Sequence, residues 1–137
     1  MSDRPPLPDQ LERDRFCTEL ETNYSVIAPA GVGKTTSIVA RIIAIAKADA
    51  RRLEDPVLPH LVVVTYTKKA ADEMFSRVRT ELDRVQPHAD VHAHLAQAFF
   101  GTIHSFCQRL LLLAGPLCGF PSEAEVATDT ERLWERF

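Results

Sequence analysis

Apolar positions along the chain fall into three short solid runs separated by longer amphipathic stretches. The runs Tyr24-Ser25-Val26-Ile27-Ala28, Leu61-Val62-Val63-Val64-Thr65 and Ala98-Phe99-Phe100-Gly101-Thr102-Ile103 are rich in β-branched and aromatic residues. Each predicts a strand, the first two buried on both faces of a parallel sheet. Between the first two, Ile38, Val39, Ile42, Ile43 and Ala46 recur at i, i+1, i+4, i+5 and i+8, predicting a helix that ends near Ala50 and packs its apolar face on the sheet. Residues 68–86 carry Ala71, Phe75, Val78, Leu82 and Val85, a stripe for a long helix that Pro87 terminates. A further helix starts near His104, runs through Phe106, Leu110, Leu111 and Leu113, and stops at Ala114-Gly115-Pro116. Residues 9–21 hold an incomplete stripe of Leu11, Phe16 and Leu20, with Asp9 as N-cap and Asn23 as stop. Residues 88–97 read as a short helical or irregular bridge, and residues 51–59 as a polar connector.

Strands alternating with helices predict an α/β fold, a parallel sheet of about three strands with helices on both faces and right-handed crossovers. In such sheets ligands gather outside the carboxyl ends of the strands. Three polar clusters are expected on that rim: the segment after the first run, Thr65-Tyr66-Thr67-Lys68-Lys69 after the second, and Gly101-Thr102-Ile103-His104-Ser105 at the end of the third. The organisation expected is a disordered lead-in over residues 1–8, a domain over 9–115, and the start of a truncated helical insertion over 116–137. Composition changes little: at 137 residues, 45% apolar and 26% charged, the chain suits one globular domain. The net charge of −3 gives no global attraction to nucleic acid, so such binding must come from a local surface. No apolar run is long enough for a bilayer, the stretch M-S-D-R-P-P-L-P lacks the apolar core of a signal peptide, and the cytoplasm is the default expectation. Cys17, Cys107 and Cys118 show no C-x-x-C spacing and read as buried thiols.

The segment after the first run carries the strongest chemistry. Ala28-Pro29-Ala30-Gly31-Val32-Gly33-Lys34-Thr35-Thr36 fits the phosphate-binding pattern G-x-x-x-x-G-K-[ST] except that Ala28 replaces its leading glycine. Glycines let consecutive backbone N–H groups face inward, and the following helix N-terminus favours an anion. Lys34 is placed to reach the β- and γ-phosphates of a nucleotide, and the Thr35 hydroxyl to ligand Mg²⁺. The two other clusters allow two readings. Thr65, Thr67, Lys68 and Lys69 can hold phosphates while Tyr66 stacks on a base, or the threonines merely cap the next helix. Thr102, His104 and Ser105 pose the same choice. His88, His92 and His94 give an H-x-x-x-H-x-H pattern that no Cys or carboxylate completes as a metal site.

A-P-A-G-V-G-K-T, V-V-T-Y-T-K-K-A-A-D-E-M and F-G-T-I-H-S-F-C, in that order, resemble the opening of a superfamily 1 helicase of the UvrD/Rep type, with features of its RecB/AddA-like branch. Position 28 is Ala in that family, while Lys68 replaces its usual Asn. The resemblance implies a partial RecA-like P-loop NTPase domain using ATP and Mg²⁺. It assigns single-stranded DNA contacts to Thr65, Tyr66, Thr67, Lys68, Thr102, His104 and Ser105. Asp9-Gln10-Leu11-Glu12-Arg13 resembles the family's adenine-reading motif, which places Gln10 and Arg13 on the nucleotide. The expected activity is DNA unwinding in repair or recombination, with a nuclease or recombination protein and the remainder of the helicase polypeptide as partners. Hydrolysis also needs carboxylates and an arginine finger, yet residues 36–137 contain no apolar strand ending in Asp-Glu. A small phosphotransferase, whose arginine-rich lid is not evident here, and a non-catalytic nucleotide-binding module remain the competing classes.

Overall fold

A computed structural model describes residues 8–51, 55–85 and 89–120. The lead-in up to Leu7, His88, and the segment 121–137 lie outside the described residues.

The strand pair is β1 (Val62–Thr65) and β2 (Phe99–Thr102). They run parallel, Val62 opposite Phe99 through Thr65 opposite Thr102. Their connection contains α3 (Lys68–Val85) and α4 (Ala89–Gln97), and β2 leads directly into α5 (Ile103–Ala114). Successive strand residues point to opposite faces, so Phe99 and Phe100 serve different layers. Phe100 meets Phe75 of α3 edge-on, with ring centres 5.2 Å apart. Phe99 meets Phe106 of α5 at 5.4 Å. Helices therefore cover both faces, as the alternation of runs predicts.

Two further helices precede the sheet, α1 (Gln10–Thr18) and α2 (Lys34–Asp49). The principal core lies between helices: Val39, Ile42, Ile43 and Ala46 of α2 meet Met74, Val78 and Leu82 of α3, closed by Leu58 and by Val91 and Leu95 of α4. The apolar stripe of α2 thus packs on α3 and the 3-10 turn Leu58–His60, with Val63 of β1 and Phe100 of β2 only partly buried against the same cluster, where the periodicity predicted packing on the sheet. Periodicity shows that a face is buried but does not name the covering surface. On α3 the buried set is Ala71, Met74, Val78 and Leu82, while Val85 is exposed.

Several expectations are corrected. Residues 24–28 join no ladder, so the described residues contain two strands where about three were expected. An apolar run becomes a strand only beside a partner edge, and here Val26 is 55% exposed and Ile27 98%. The second run is not fully buried either, since Val62 and Val64 stay 43% and 44% exposed. The stop at Gly115-Pro116 ends α5, but the chain coils on through a 3-10 turn at Gly115–Cys118, and the left-handed glycine is Gly119. Cys107 and Cys118 are exposed; Cys17 alone is half-buried, and burial pushes its thiol pKa up.

One buried charge was not foreseen. Asp49, the last residue of α2, is 3% exposed. Its carboxylate accepts the Val57 N–H at 3.1 Å and the Leu58 N–H at 2.6 Å, fastening the end of α2 to the 3-10 turn.

Candidate nucleotide and nucleic-acid site

The phosphate loop turns on Gly31 (φ +81°) and Gly33 (φ +93°), left-handed conformations that a side chain would strain. Gly33 is the N-cap of α2, so the loop ends at the positive pole of a helix of 16 residues. Lys34, the first helical residue, curls its ammonium back over the loop. Nζ donates to the Ala28 carbonyl at 2.6 Å and the Pro29 carbonyl at 2.7 Å. A cation beside a turn of left-handed glycines at a helix start is an arrangement chemically suited to an anion. Thr35 is exposed one residue on, while Thr36 faces a different groove, between α2 and α3, with Ala40 and Arg77.

Helix α1 supplies the opposite wall. Arg13 donates through Nη2 to the Val32 carbonyl at 3.0 Å and through Nη1 to Ser37 Oγ at 3.3 Å. Its guanidinium is aimed by Asp9, whose carboxylate lies 2.8 Å from Nη2 and accepts from Nε at 3.0 Å. That hydrogen bond holds the Asp9 carboxyl below the ordinary range and raises Arg13. Asp9 starts the helix but its side chain does not cap it. A cavity of about 630 Å³ opens between these elements, lined by Arg13, Phe16, Tyr24, Ala28, Lys34 and Ser37 among others. This size falls within the range of small-molecule sites. Of the two α1 residues singled out, the fold brings Arg13 to the loop; Gln10 instead donates to Asp14 on its own helix at 2.7 Å.

The other two clusters meet at the ends of the strands, where Thr65 lies opposite Thr102. Much of their hydroxyl chemistry is local. Thr65 donates to the Thr67 carbonyl, and Thr67 accepts from the Ala70 N–H at the start of α3. Thr102 and Ser105 form a reciprocal capping box on α5. The capping reading therefore holds for Thr67, Thr102 and Ser105. Tyr66 is 95% exposed, and Lys68 and His104 are exposed beside it in sequence and across the rim. The phosphate loop is not joined to this rim by strand pairing, because residues 24–28 form no ladder.

The family description "UvrD/REP helicase N-terminal domain" matches residues 10–135. The chain belongs to the UvrD/REP helicase family. Similar proteins include an ATP-dependent helicase/nuclease subunit from Desulforudis audaxviator, 40% identical over 122 residues, which cover 81% of this chain and 9% of that protein. The protein of the same name from Pelotomaculum thermopropionicum is 37% identical over 117 residues, 77% of this chain and 9% of that one. That from Moorella thermoacetica is 40% identical over 111 residues, 73% and 7% respectively. The chain spans about a tenth of the length of the curated relatives it matches.

Within this UvrD/REP domain the histidine pattern does not converge. His92 Nε2 lies 3.7 Å from Asp83 on α3, whereas His94 has a buried, unpartnered Nδ1 among the described residues. Two residues apart on α4, they project to different sides of the helix. Sequence reasoning also passed over Arg41. Its guanidinium reaches from α2 to the end of α1 and donates to the carbonyls of Phe16, Glu19, Leu20 and Thr22. It lies over the rings of Phe16 and Tyr24, 4.9 and 5.3 Å from their centres. An arginine within a helical apolar pattern reads as a solvated residue; only the 19–25 residue separations of its partners reveal the role.

Proposed function

We propose that this chain is the ATP-gripping and single-strand-contacting part of an ATP-dependent DNA helicase, which in the complete protein couples ATP hydrolysis to movement along single-stranded DNA in repair or recombination. The observation that carries it is the Lys34 ammonium, held over a glycine loop at a helix start and facing a nucleotide-sized cavity. In this reading Lys34 takes the β- and γ-phosphates and the backbone of residues 28–36 cradles them. Arg13 braces the loop from α1, while Gln10 would have to leave Asp14 to read adenine. Mg²⁺, held in part by the Thr35 hydroxyl, would supply charge neutralisation on the phosphates.

Tyr66 offers a ring for a base, and Lys68, His104 and the threonine hydroxyls offer donors to DNA phosphates, with Thr65 and Thr102 side by side at the strand ends. The hydrolytic carboxylates and arginine finger belong to the rest of a polypeptide about ten times longer in the relatives. Those relatives are named as helicase/nuclease subunits, which supports a nuclease or recombination partner, and DNA work of this kind is proposed to take place in the cytoplasm. No helix among the described residues is long and apolar enough to cross a membrane.

The test is binding of a fluorescent ATP analogue with Mg²⁺ to the chain and to Lys34→Ala. Removing a charged donor to phosphate is worth roughly 1.5–3 kcal/mol, so affinity is expected to fall roughly 10- to 150-fold. Equal affinity of the two proteins rejects the phosphate assignment.

A further inference from the structure

Helix α1 forms one wall of the nucleotide cavity yet has little of its own to hold it there. It has nine residues, none of them buried, and a helix that short is marginal without tertiary support. Its support comes from one stripe of α2. Lys34, Ser37 and Arg41 stand at i, i+3 and i+7, one above the other on a single helix face. Lys34 closes the phosphate loop, Ser37 receives Arg13, and Arg41 gathers the carbonyls at and beyond the C-terminus of α1.

A cation there satisfies carbonyls the helix leaves unpaired and complements the negative pole of its dipole. Arg41 lies outside the cavity, but Phe16 and Tyr24, the rings it lies over, line it. With the polyphosphate at Lys34, the space along Arg13, Phe16 and Tyr24 is left for the nucleoside.

We infer that Arg41 is a positioning residue that sets affinity for the nucleoside half of ATP by holding α1, Phe16 and Tyr24 against the phosphate loop. This rests on the ATP reading above. Lysine cannot replace it, because one ammonium cannot span four carbonyls and lie flat on two rings.

The experiment compares ATP with inorganic tripolyphosphate, both with Mg²⁺, by calorimetry on the chain, Arg41→Ala, Arg41→Lys and Lys34→Ala. Arg41→Ala is expected to weaken ATP by about tenfold or more, and tripolyphosphate by less than about twofold. Arg41→Lys should show the same selective loss with an unchanged helical circular dichroism spectrum. A purely structural residue would weaken both ligands together, and that result, or no loss for ATP, overturns the inference. If Lys34→Ala leaves both ligands unaffected, the ATP reading itself fails; if it weakens both and the Arg41 variants keep the wild-type preference, only the role of Arg41 fails. Hydrogen exchange on the unmutated chain decides the matter should neither Arg41 variant fold. ATP must slow exchange in α1 more than tripolyphosphate does, and equal slowing overturns the proposal.

Discussion

Replacing Asp49 by alanine should be among the most damaging single changes in the described part of the chain, although the residue lines no part of the cavity between α1 and the glycine loop. The carboxylate is 3% exposed and accepts two backbone N–H groups, those of Leu58 and Val57. Leu58 is fully buried, so its N–H loses a charge-assisted bond with no water to replace it, a cost of roughly 1.5–3 kcal/mol. Val57 is 43% exposed, so water can reach its N–H and the second loss is about 0.5–1 kcal/mol. Relief from burying a carboxylate offsets part of this, leaving a net loss of about 2–3 kcal/mol. For a chain of this size each kcal/mol moves Tm by roughly 3–5 °C, so a fall of roughly 6–15 °C is expected by circular dichroism melting. Asp49→Asn, which keeps one acceptor oxygen, should lose about half as much. If Asp49→Ala melts within about 1 °C of the parent, the tie between α2 and the 3-10 turn does not carry the stability assigned to it.

Two other expectations follow from the packing and the titrating groups. A Cβ on Gly101 would stand 2.7 Å from the Phe99 ring and 2.8 Å from Ser105 Oγ, in a strand end that also holds the α5 capping box. Gly101→Ala should therefore cost about 1–3 kcal/mol in urea unfolding, and a variant as stable as the parent would show that the strand end gives way freely. Tyr24 donates to Glu19, a bond that raises the phenol pKa, while Arg15 first and Tyr24 second lower the Glu19 carboxyl. The Tyr24 contribution is complete below its unfolded pKa near 10 and is lost as pH rises through the raised folded value; that of Glu19 is complete above about 4.5 and is lost as pH falls through the lowered one. In a phenolate absorbance titration, Tyr24→Phe should remove the absorbance change that lies above the ordinary tyrosine range. A titration in that range left unchanged by the substitution would contradict the Tyr24 to Glu19 bond.

Helix α3 was legible because apolar residues recur every three or four positions from Ala71 to Leu82 along a helix of 18 residues, and β1 and β2 because β-branched and aromatic runs suit a strand wherever a partner edge lies alongside. The same composition at Val26 and Ile27 misled, since pairing depends on a neighbour that local pattern does not encode. The glycine turn ahead of α2 was legible in its glycines and lysine, whose spacing is set by chemistry internal to a few residues. The ties around it were not. Arg13 was singled out by its motif, but its bonds to Val32 and Ser37 were not, and Arg41 and Asp49 act across 8 to 25 residues through carbonyls and amides that have no signature in the side-chain sequence. Gln10 shows the converse: a motif match placed it at the base, and the fold turns its amide along α1.

The resting partners of Lys34 bear on how any affinity for this domain is read. Its ammonium does not start from bulk water, since it already holds two carbonyl oxygens of its own loop. In the proposed ATP reading, an arriving nucleotide would drive a swap, displacing neutral acceptors in favour of an anionic one, so the free energy observed would be the difference between two bonded states. Removing the lysine deletes both sides of that exchange, and the empty loop of such a variant has lost the internal tether that kept it shaped.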